Sequence, residues 1–124
     1  MQPITLSIPG AVVSLKNSRR LVRKARTGKP FSIKSADAMR FMRDFAAQVP
    51  IEYRGLCVGG RNQFLRAVIT VYYPSLRSDL DCGILYDALQ LAGVIEDDRW
   101  IREKNEYAYV DAKNPRCEII IEAL

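Results

Sequence analysis

The sequence predicts a small domain of mixed helix and strand, α/β in the broad sense and α+β in detail. Three observations carry this. Apolar residues recur at helical spacing over residues 38–49, a second helical face occupies 84–92, and β-branched and aromatic runs fill 4–8 and 63–74. With 124 residues and no break in composition, the whole span 1–124 is expected to form one domain around a single modest core.

Taken in order, "ITLSIP" (4–9) alternates and is rich in β-branched residues, so it predicts a first strand that ends at Pro9-Gly10. A basic segment follows, expected as a long loop or hairpin, with "PFSIK" (30–34) as a short extended piece. Ser35 is placed as an N-cap with Asp37 in the first turn. Counting from Ala38, residues Phe41, Met42, Phe45, Ala46 and Val49 share one helical face, which Pro50 closes. "QFLRAVITVYYP" (63–74) is the strongest strand in the chain and stops at Pro74. Tyr72 and Tyr73 within it are expected in the core or on a sheet face, base stacking being the alternative. Gly59-Gly60 predicts a turn, since a phosphate loop needs a longer glycine pattern. Ile84, Leu85, Ala88, Leu91 and Ala92 line the face of a second helix, with Gly93 at its C-cap.

Composition excludes several chemistries. The chain is 48% hydrophobic and 27% charged, as expected of a soluble globular protein. No run is long and apolar enough for a membrane span and no signal peptide is recognisable, so no membrane association and a cytoplasmic location are expected. Cys57, Cys82 and Cys117 have unrelated spacings and predict reduced, mostly buried thiols. There is no histidine, which removes catalytic triads, Cys-His dyads and His-based acid catalysis. An enzyme built on this sequence would depend on carboxylates, lysines or a metal.

Charge is distributed unevenly. Residues 1–36 hold eight basic side chains (Lys16, Arg19, Arg20, Arg23, Lys24, Arg26, Lys29, Lys34) and no acid, whereas the remainder holds eleven basic and fourteen acidic residues, for a net +5. Such a basic segment suits a polyanion such as DNA, because neutralised phosphates release condensed counterions. A solvated loop is the plainer alternative.

Acids gather around the second helix in "RSDLDCGILYDALQLAGVIEDDRW" (77–100). Asp79 and Asp81 sit at its N-terminus, where the helix dipole favours anions, although one acid is enough for a cap. From Cys82 to Gly93 a helix rises roughly 17 Å at about 1.5 Å per residue. Extended chain from Gly93 to Asp98 spans roughly as much. A reversal at Gly93 is therefore expected to return Asp98 beside Asp79 and Asp81. Converging carboxylates select a hard cation such as Mg²⁺ or Mn²⁺. An inert capping pair followed by an acidic turn is the competing interpretation.

Four stretches resemble the RusA family of Holliday junction resolvases, particularly its phage-associated members. They are "SLKNSRR" with "TGKPFSIKS", "DLD" before the second helix, "DALQLAGVIEDD" through and beyond it, and the closing strand around "RCEIIIE". The resemblance spans nearly the whole chain. It implies a mixed-sheet homodimer that uses Mg²⁺ or Mn²⁺ to nick branched, four-way DNA symmetrically. It also implies that Asp79, Asp81 and Asp98 are the catalytic, metal-holding aspartates. Asp97 assists or caps the turn, and Asp87 is a motif position expected to make a structural salt link. The segment containing Lys16, Asn17, Arg19, Arg20, Arg23, Lys24, Arg26, Lys29 and Lys34 matches the region that the family places near DNA. Trp100 is expected in the core or at a subunit interface.

Two positions depart from the pattern. Cys82 stands where the family has Asn, and Leu85 stands where it has a lysine important for cleavage. The segment from Asp81 to Asp87 is two residues short, so a shifted alignment is open in which Asp79 takes the second aspartate's place and Arg77 the first. With no lysine between Lys34 and Lys104, the expected substitute is Lys16, with Arg77 second.

Overall fold

Alternation in residues 4–9 buries Ile4, Leu6 and Ile8 and exposes Thr5, Ser7 and Pro9, so this segment has one face on a core and the other in water. It is strand β1 (Ile4–Pro9) of a computed structural model. The structure describes the backbone of residues 1–23 and 30–124, and the side chains of residues 1–16 and 35–124. A single turn, α1 (Leu15–Ser18), leads into β2 (Arg19–Arg23) and β3 (Pro30–Lys34), which pair antiparallel. The hairpin form of the basic segment is thereby realised. The side chains of Asn17, Arg19, Arg20, Arg23, Lys24, Arg26, Lys29 and Lys34 lie outside the described residues.

Helix α2 (Ala36–Gln48) begins as expected, with Ser35 Oγ accepting from the Ala38 amide at 3.2 Å. Its last carbonyls are taken by Arg54, which donates to the carbonyl oxygens of Val49 and Ala47, each at 2.7 Å. Strand β4 (Leu65–Tyr73) buries every second residue. Helix α3 (Gly83–Leu91), a 3₁₀ turn (Asp98–Trp100), β5 (Ile101–Val110) and β6 (Arg116–Ala123) complete the chain.

The main sheet has the order β1-β6-β4-β5. β6 runs antiparallel to β1 and β4, while β5 runs parallel to β4, so the sheet is mixed. Both helices cover the same face. Phe45 and Met42 of α2, and Ile84, Leu85 and Leu89 of α3, join Ile69, Val71, Ile119 and Ile121 in one core. Each such side chain contributes about 1.5–3 kcal/mol on burial. Because β4, α3 and β5 form a βαβ unit, the loop after β4 and the inner face of β5 both border α3.

β5 carries no alternating apolar pattern; only Ile101 is buried. It is the edge strand, and its inner positions Lys104 and Glu106 stand level with buried Ala67 and Ile69 of β4. Polar side chains on that face leave an open recess beside α3.

Candidate active site

Asp81 ties three elements together. Its Oδ2 accepts from Ser14 Oγ at 2.8 Å, its Oδ1 accepts from the Gly83 amide at 3.1 Å, and its own amide donates to the Tyr73 hydroxyl at 3.2 Å. The loop before α1, the end of β4 and the first residue of α3 therefore meet at one residue. Partial burial raises its pKa, but donation from Gly83, Ser14 and the Lys16 backbone, with the Lys16 charge, outweighs burial and holds it below the usual value. Asp81 is thus an ionised group held by several donors.

It lies in the wall common to two recesses. The smaller, about 120 Å³, is lined by Asp79 and Asp81 with Ser14, Lys16, Tyr73 and Arg77. The larger, about 450 Å³, runs along α3 and is lined by Asp81, Tyr86, Asp87 and Asp98, with Lys104 and Glu106 supplied by β5. Within it the Tyr86 hydroxyl donates to Glu106, and the Lys104 ammonium sits 4.3 Å from the Tyr86 ring centroid. Burial, then the Glu106 carboxylate, raise the Tyr86 pKa far above its usual value, so it remains a donor.

The return of the chain after α3 differs from a plain extended strand. Gly93 takes a positive φ of 71°, and residues 93–95 are held against 57–58 by donation from the Cys57 and Val58 amides to the Gly93 and Val94 carbonyls. The Asp98 amide donates to Gln90 Oε1 at 3.2 Å, which places Asp98 toward the C-terminal end of α3. Asp98 accordingly shares a recess with Asp81 but not with Asp79. Among the described residues no three Cys, Asp or Glu side chains are gathered as a metal-holding group.

The remaining acids have separate duties. Glu96 accepts from the Trp100 indole, and Asp97 caps the 3₁₀ turn by accepting from the Arg99 amide at 2.9 Å. Among the described residues the carboxylates of Asp79 and Asp98 have no hydrogen-bond or ion-pair partner. Trp100 is not in the core: it is partly exposed and stacks on exposed Phe64, ring centroids 6.5 Å apart, with the Arg99 guanidinium over it. Tyr73 is buried, whereas Tyr72 stacks on Tyr109 of β5 on the open sheet face. Cys82 and Cys117 are buried and Cys57 is exposed. Leu85 is fully buried.

Sequence patterning did not point to Lys104, Glu106 or Tyr86. Lys104 and Glu106 fall in a strand that lacks alternation, and Tyr86 lies outside the apolar face assigned to the second helix. No protein-family model matches the chain, and neither does any curated protein.

Proposed function

We propose that this chain is a metal-dependent endodeoxyribonuclease of the RusA type that resolves four-way DNA junctions by paired nicks. The observation that carries the proposal is Asp81, fixed by Ser14 and the Gly83 amide in the wall common to two recesses, with the unpartnered carboxylates of Asp79 and Asp98 in them beside Lys16, Arg77 and Lys104. The donor set consists of carboxylate oxygens, which suits Mg²⁺ or Mn²⁺. Mg²⁺ is commonly bound by one or two carboxylates together with substrate phosphates, so Asp81 with Asp79 or Asp98 is a sufficient protein contribution. A cation of this kind, when bound, activates water and offsets charge at a scissile phosphate.

The chain's own residues then have distinct tasks. Lys16 and Arg77 meet phosphate at the smaller recess, and the basic hairpin of β2 and β3 supplies further phosphate contacts that set position rather than sequence. Ser14 and the Gly83 amide fix the Asp81 carboxylate. Because a four-way junction offers two equivalent strands, paired nicking calls for a homodimer with a two-fold axis, which sedimentation at working concentration will show as a dimer.

The test is a synthetic four-way junction incubated with Mg²⁺, Mn²⁺ or a chelator. Paired nicks are expected with either cation and none with chelator. Asp79→Asn, Asp81→Asn and Asp98→Asn should each abolish nicking while junction affinity holds or rises. Asn retains the Oδ1 acceptor that Gly83 uses. Nicking that survives all three changes rejects this site. A binding-only protein on the same fold is the second possibility, favoured by Leu85, whose burial leaves no charge at the position where the family carries its lysine. Tight junction binding without nicking by the wild type would select it.

A further inference from the structure

We infer that Lys104 is the residue of the larger recess that receives the phosphate to be cut and stabilises the charge developing on it, an inference that rests on the nuclease proposal above. Four observations support it. Lys104 projects from the inner face of β5, level with buried Ala67, so its side chain enters the recess rather than leaving the sheet on the open side. It shares that recess with Asp81, Asp87, Asp98 and Glu106. Its ammonium rests over the face of Tyr86, a ring that is itself buried and whose hydroxyl is held by Glu106, so the charge has a fixed seat. Among the described residues no ion pair neutralises it.

Lys16 differs in place: it lines the smaller recess with Asp79 and Asp81, not the larger one. An ammonium seated on an aromatic face, and not on a carboxylate, keeps its full attraction for an incoming anion. Four acids of the recess would repel DNA, and Lys104 is the one cation that its described lining offers the phosphate. A donor aimed at charge that grows during the reaction raises the rate more than the affinity.

The experiment compares wild type with Lys104→Ala and Lys104→Arg on the four-way junction. Lys104→Ala should slow nicking by on the order of 10²-fold while affinity in chelator changes by less than about threefold, and Lys104→Arg should restore part of the rate. A second readout needs no cleavage. With junction bound in chelator, acylation of Lys104 by acetic anhydride, followed by mass spectrometry, should fall at least about fivefold, while Lys113 in the turn between β5 and β6 reacts unchanged. If the wild type nicks and Lys104→Ala nicks equally well, the inference fails and the nuclease proposal stands. If the wild type never nicks but Lys104 is protected, the nuclease proposal fails and the phosphate contact stands. No nicking and no protection overturn both.

Discussion

Burial divides the three cysteines into two chemical kinds. Burial pushes the Cys82 and Cys117 thiols up to about 12, with nearby Glu106 and Asp81 adding to the effect at Cys82, whereas Cys57 is exposed. At pH 8 a thiol of that pKa is thiolate for only about one part in 10⁴, so it is inert as a nucleophile. One thiol per chain should therefore react with a disulfide reagent in the native protein and three after denaturation; fast reaction of all three without denaturant would contradict the burial. The same shift bears on stability. The unfolded chain releases these protons near pH 9 and the folded chain near pH 12, so stability should fall progressively across that window, measured as a declining denaturation midpoint. Asp81 acts in the opposite range. Its depressed pKa adds stability that is present above the ordinary carboxylate range and is lost as pH falls through its folded value.

At the scale of elements, the segment joining α3 to β5 decides where the acids lie. Gly93 has a left-handed φ of 71°, and a Cβ there would stand 3.0 Å from the Gly55 amide nitrogen and 3.1 Å from its Cα. Both atoms are backbone, which cannot move away cheaply. Gly93→Ala should destabilise the fold by about 1–3 kcal/mol. The loss will be read from the denaturant midpoint; a change below about 0.5 kcal/mol would show that the turn relaxes. Helix α2, helix α3 and strands β1 and β4 were legible because each repeats its apolar residues with its own period. β5 was not, because an edge strand lining a polar recess on one face and open to solvent on the other has no apolar alternation to display. The acids after Gly93 were legible as a cluster but not as individuals. Whether one caps a turn, accepts from an indole or remains unpartnered depends on a 3₁₀ turn that no spacing announced.

Across the whole molecule, a chain carrying +5 places eight basic residues and no acid in 1–36 and its acids beyond. α1 connects the two recess and hairpin regions, since Lys16 lies in the smaller recess and the hairpin begins at Arg19. Reversing Arg19, Arg20, Arg23 and Lys24 should weaken junction binding and flatten its salt dependence, by roughly 0.9 in the log-log slope for each phosphate no longer neutralised. Titrations at several salt concentrations measure that slope, and an unchanged value would make the segment a solvated hairpin.

Periodicity and charge order are local properties, so the sequence by itself determined the two helices, the principal strands, the Ser35 cap, the Gly93 stop and the separation of basic from acidic regions. Which side chains face one another depends on strand order and register. Only the tertiary structure decided that β5 lies parallel beside β4, that Lys104 and Glu106 enter the same recess as Asp81 and Asp98, and that Asp79 stands in another. The physical reason is that these residues lie on different elements and meet across a βαβ connection, whose geometry is set by packing of the common core and not by any spacing between them.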